Sequence, residues 1–173
     1  MRIKHLIYNY YKKRCPRQVA EYKSYDAVRS FFILYESDWL ERNAEIKKMI
    51  RQMRDDGKSV VAWGYCDKKD IQAPNLPESR ILGPKNTNLW DKPLPDVLQD
   101  LGRRQFDVLI DLTTRPLLPL QYIAMYASAS LRIGSRTEDG VYDMVIPMPA
   151  DAAPEELLRQ VIHYIKLIKT AHV

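Results

Sequence analysis

Apolar and polar positions alternate along this chain in two rhythms, and the rhythm changes every 20 residues or so. Ser30 to Tyr35, SFFILY, is a continuous apolar run rich in aromatic and branched side chains. Such a run predicts a short strand covered on both faces. Ser59 to Cys66, SVVAWGYC, repeats the pattern, and so does Phe106 to Leu112, FDVLIDL. Leu131 to Gly134 and Tyr142 to Ile146 read as two shorter strands, and the turn Glu138-Asp139-Gly140 between them leaves room for a hairpin.

The intervening segments carry the helical period. After the first strand, Asp38 offers a side-chain cap with Glu41 three residues on. Ile46, Met49, Ile50 and Met53 then form one stripe until Gly57 stops the helix. A short helix is expected from about Pro95 to Leu101, and a helix apolar almost all round from Leu117 to Ala129, where Ala124, Ala127, Ser128 and Ala129 permit close approach. The last helix begins at Pro154, a residue suited to the first helical turn. Glu155 and Glu156 at its start and Lys166 and Lys169 at its end answer the helix dipole. Leu158, Val161, Ile165 and Ile168 make its buried stripe, with His163 on the wet side.

At the front of the chain, Ile3, Leu6, Ile7 and Tyr10 fall at helical spacing, and Arg2, His5, Asn9, Lys12 and Lys13 take the other side. So short an amphipathic helix is marginal alone in water and needs something to lie on. Its own domain, a twin subunit, RNA or an anionic membrane surface would all serve. From Asp67 to Pro95 the pattern turns irregular and proline-rich, which suggests either a further strand near Arg80 to Gly83 or a functional loop.

Strand, helix and strand between Ser30 and Cys66 make a βαβ unit, normally right-handed and parallel. The full alternation predicts a three-layer, Rossmann-like α/β fold: a mostly parallel sheet of about five strands with helices on both faces. The 173 residues fit a single α/β domain over 26–173 behind a basic amphipathic leader at 1–25. The formal net charge of +5 is concentrated in that leader. Residues 1–23 hold seven lysines and arginines against Glu21 alone.

Cys15 and Cys66 form no disulfide framework or metal motif, and Cys66 reads as a buried structural thiol. The opening residues lack a secretory apolar core of about 7 to 15 residues, and no run approaches the roughly 18 apolar residues of a membrane span. A cytoplasmic setting is expected.

In sheets of this kind, ligands bind beyond the carboxyl ends of the strands where strand order reverses. If the first strand lies beside Phe106 to Leu112, Glu36, Ser37 and Asp38 come near Asp111, Thr113, Thr114 and Arg115, with Tyr65, Cys66 and Asp67 alongside. Two hydroxyls and a guanidinium before a helix suit a phosphate or carboxylate. The same residue types also serve locally, as caps of the turn with Arg115 solvated. Glu36 and Asp38 are suited to acid and base work, or to a metal-assisted reaction together with Asp111, or simply to a helix N-terminus.

No dinucleotide fingerprint, phosphate-binding P-loop, zincin or α/β-hydrolase motif is present, and His5, His163 and His172 lie at the two ends of the chain. The leading expectation is a non-catalytic ligand-binding domain for an anionic small molecule. The alternatives are an interaction module docking through its basic helix and the metal-assisted enzyme.

Three resemblances add to this. Phe106 to Gly134, FDVLIDLTTRPLLPLQYIAMYASASLRIG, resembles part of the N-terminal half of heptosyltransferase-type glycosyltransferases. There a strand ending in Asp-Leu leads through a helix to a short strand with an arginine shortly before a glycine. Glu36-Ser37-Asp38 replaces the Gly-Asp turn of those enzymes, and the chain is too short for their nucleotide-sugar domain, so the likeness implies the half-fold and not the activity. Asp111-Leu112-Thr113-Thr114 is similar to the Asp-x-Asp strand end of haloacid dehalogenase phosphatases, with Thr113 in place of the second acid. Over its whole length the chain resembles a family of short uncharacterised α/β proteins from Bacteroidetes-type bacteria. That implies a bacterial cytoplasmic protein and no particular activity.

Overall fold

The continuous apolar runs become parallel strands in the computed structural model, which describes residues 2–37, 43–68, 78–137 and 140–168. The strands are β1 (Ser30–Glu36), β2 (Ser59–Tyr65), β3 (Ser79–Leu82), β4 (Gln105–Asp111), β5 (Ser128–Gly134) and β6 (Met144–Val145). The helices are α1 (Arg2–Arg14), α2 (Asn43–Asp55), α3 (Pro95–Gly102), α4 (Leu118–Tyr126) and α5 (Pro154–Leu167). The sheet order is β3-β2-β1-β4-β5-β6, and every neighbouring pair is parallel. This is the α/β Rossmann-like architecture expected, with six strands, because Ser79–Leu82 in the proline-rich stretch pairs with β2.

Both sheet faces are covered, so each strand sends alternate side chains into a different core. Phe31, Ile33 and Tyr35 of β1 pack with Ile46, Ile50 and Met53 of α2 and with Leu157, Leu158, Val161 and Ile165 of α5. Phe32 and Leu34 face the opposite way, toward Val97 and Leu101 of α3, Leu120 and Ile123 of α4, and Tyr8 of α1. Gly57, with φ of 80°, ends α2 as its position required. The proposed caps Asp38 and Glu41, with Lys169, lie outside the described residues.

Three sequence expectations change. The helix expected to run to Ala129 stops at Tyr126, and Ser128 and Ala129 open β5 by pairing with Gln105 and Phe106. Arg132 explains the stop: its guanidinium donates to the Ala124 and Ala127 carbonyl oxygens at 3.1 and 2.7 Å, satisfying groups that a longer helix would have used. The hairpin does not form either. β6 runs parallel to β5, and Arg136 and Tyr142, which lie between the two strands in sequence, are buried.

The third change concerns α1, which is helical as expected but lies on the domain by a different face. Tyr8 is the buried residue, its ring edge-on to Tyr122 with centroids 5.1 Å apart, while Ile3, Leu6 and Tyr10 face outward. Aromatic edges, with Lys92 3.8 Å above the Tyr11 ring, prevail over the aliphatic stripe. The chain after α1 is stitched down as well. Glu21 N donates to Ser130 O, Lys23 pairs with Asp107 at 2.9 Å, and buried Lys58 donates to the Tyr25 and Val28 carbonyl oxygens. No helix among the described residues is long and apolar enough to cross a membrane.

Candidate functional site

The sheet reverses its order between β1 and β4, since the chain adds β2 and β3 on one side of β1 before returning to place β4 on the other. Phe31 to Leu34 align with Val108 to Asp111, and the carboxyl ends of the two strands therefore open side by side. Glu36 and Ser37 leave β1 there, and Asp111 to Arg115 leave β4. The sequence placed these residues together on the condition that the strands be neighbours, and they are. Asp38, the remaining member of the set, lies outside the described residues.

Asp111 is fully buried. One carboxylate oxygen accepts the Thr113 backbone N–H at 2.9 Å and the Thr113 hydroxyl at 2.7 Å, closing the turn on itself. The other accepts the Tyr142 hydroxyl and, at 3.4 Å, the Arg136 guanidinium. Arg136 is buried too, and it donates to the Thr113 carbonyl oxygen at 2.9 Å, to the Thr113 hydroxyl and to the Arg115 carbonyl oxygen. Tyr142 also takes a 3.1 Å bond from Arg136. A buried ion pair is tolerated when its remaining donors and acceptors are matched, as they are here.

Gly134 makes that network possible. A Cβ there would lie 2.7 Å from the Tyr142 ring, so only glycine lets the ring lie against β5 and reach Asp111. Arg136 and Tyr142 did not emerge from sequence reasoning. The available signal was an arginine two residues beyond the strand end at Gly134, as Arg115 lies four residues beyond the end of β4.

Above this buried base Arg115 is exposed, and Glu36 and Thr114 are half-buried. Arg115 forms a forked ion pair with the Glu36 carboxylate across the β1–β4 boundary. The Thr114 hydroxyl donates to the Ala150 carbonyl oxygen at 3.0 Å, tying the turn to the segment before α5. Ser37 is buried, with its N–H on the Tyr65 carbonyl oxygen. Cys66 is a buried free thiol, with its N–H on the Leu82 carbonyl oxygen.

For metal-assisted chemistry, the Asp111 carboxylate faces Arg136 and Tyr142 instead of solvent. No group of three His, Cys, Asp or Glu able to hold a metal is present among the described residues.

A small half-open cavity lies elsewhere, between the end of α1 and the end of α4, rimmed by Lys12, Arg17, Arg132 and Cys15. Its most buried cation, Arg132, is committed to the α4 carbonyls and to Asp143. Burial raises the pKa of the Cys15 thiol, which disfavours the reactive thiolate, and lowers that of Arg132 against the pull of Asp143.

A protein-family model described as a family of unknown function, DUF6913, matches residues 4–168. No curated protein and no solved structure matches the chain.

Proposed function

The chain belongs to the family of unknown function DUF6913, and we propose that it is a non-catalytic ligand-binding α/β domain that takes an anionic small molecule at the carboxyl ends of β1 and β4. The observation that carries the reading is the Arg115–Glu36 ion pair lying across the point where strand order reverses. Glu36 holds the guanidinium as a ligand carboxylate or phosphate would, so an incoming anion exchanges with an internal one. The N-terminus of α4, which follows Arg115 closely in sequence, favours an anion there, while the Thr114 hydroxyl stays committed to the Ala150 carbonyl oxygen. Asp111 and Thr113 serve beneath as a rigid base and do not touch the ligand.

Thermal unfolding in the presence of inorganic phosphate, nucleotides and sugar phosphates tests this. Sugar phosphates are included because Phe106 to Gly134 resembles a glycosyltransferase half-domain. A ligand at 100 times its dissociation constant adds about 2.7 kcal/mol of stability, enough for a shift of several degrees. At least one member of the panel should give a saturable shift that Arg115→Ala abolishes. No shift from any of them would sink the proposal.

A further inference from the structure

α1 carries five lysines and arginines and no acidic residue. Its inner edge is taken by the domain, through Tyr8 against Tyr122 and Tyr11 at 6.2 Å from the same ring. With about 3.6 residues per turn, that docking turns Ile3, Leu6 and Tyr10 outward as a ridge, 62%, 67% and 53% exposed. Trp90 and Leu89, on the loop beside the helix, are exposed as well. Trp90 joins the ridge in one shallow apolar groove. Arg2 and Lys13 flank the ridge on one side. On the other, the Arg14 guanidinium stacks 3.5 Å from the Tyr10 ring.

An apolar ridge set between cations is a poor surface for water alone. We infer that this face docks in the plane of an anionic lipid surface, with Ile3, Leu6, Tyr10 and Trp90 entering the headgroup boundary and Arg2, Lys13 and Arg14 meeting the headgroup anions. Charge complementarity selects that occupant. A second copy meeting this face symmetrically would set two acid-free basic helices against each other. Single-stranded RNA would stack its bases on flat rings, which Ile3 and Leu6 lack. At 13 residues α1 lies on a bilayer and does not cross it. The ridge shares no residue with the crevice at β1 and β4, so this inference stands apart from the ligand reading.

Flotation of the full chain with vesicles of phosphatidylcholine alone, and of phosphatidylcholine mixed with phosphatidylglycerol, tests it. The chain should float with the mixed vesicles only, less so as salt rises, with a blue shift in tryptophan emission that Trp90→Phe removes. Ile3→Glu and Leu6→Glu should each cut partitioning about tenfold while leaving the melting curve unchanged, since both side chains point away from the domain. The inference is overturned by no flotation at low salt, by equal flotation with neutral vesicles, or by flotation indifferent to both substitutions. It is equally overturned if light scattering finds a dimer that Leu6→Glu dissociates, or if the chain binds RNA with an affinity that Leu6→Glu lowers.

Discussion

Arg136 donates to the Thr113 carbonyl oxygen at 2.9 Å from 23 positions away, and this contact joins the turn after β4 to the connection after β5. The same guanidinium faces Asp111, so turn geometry and buried charge depend on each other. Asp111→Ala leaves the Arg136 cation buried among neutral partners, the Thr113 and Arg115 oxygens and the Tyr142 hydroxyl, and should destabilise by about 3 to 5 kcal/mol in urea unfolding. Adding Arg136→Met to Asp111→Ala should cost less than the sum of the two single changes, because it removes the orphaned charge. Simple additivity would show the two side chains to be energetically independent.

Gly134→Ala brings a methyl group within 2.7 Å of the Tyr142 ring. Relieving that overlap means lifting Tyr142 from β5 and breaking its bond to Asp111, at about 1 to 3 kcal/mol. In a Tyr142→Ala background the same substitution should cost far less. Equal costs in the two backgrounds would mean that the ring is not the obstacle.

Glu36→Gln weakens the ion pair with Arg115. Because the Arg115 side chain is more than half exposed, stability should change by less than about 1 kcal/mol. The informative readout is phosphate-induced stabilisation, which should increase as Arg115 is released from its internal partner. A decrease would mean that Glu36 helps to bind the ligand.

Asp107 ties three segments together by accepting bonds from Lys23, Arg29 N and Ser30 N. Burial alone would raise its pKa, but these bonds outweigh burial and hold it below the ordinary value of 3.8. Its contribution is therefore complete above 3.8 and is lost as pH falls from there through the lower native value. In acid titrations of stability, Asp107→Asn should be less stable than the parent at neutral pH, with the gap closing below pH 3.8. A gap that stays constant across that range would rule out this carboxylate as a source of acid sensitivity.

Strand positions were legible because Phe31 to Tyr35 and Val60 to Tyr65 are buried on both faces, a condition that leaves a continuous apolar run in the text. The start of α5 at Pro154 and the stop of α2 at Gly57 were legible because each rests on the backbone chemistry of one residue. The end of α4 was not, since Arg132 caps it from a neighbouring strand. The candidate site was half legible. Asp111, Thr113 and Arg115 are marked by the break in an apolar run, whereas the partners of Asp111 arrive from 25 and 31 residues further on.

By itself the sequence determined that this chain folds as a layered α/β domain, because apolar period and local turn chemistry act over a few neighbouring residues. Tertiary structure alone decided which face of α1 turns inward, which way β6 runs, and that Asp111 is a buried anchor while Arg115 is answered by Glu36. Those outcomes rest on charges and ring edges from distant segments, and which of these meet is settled only when the sheet has assembled.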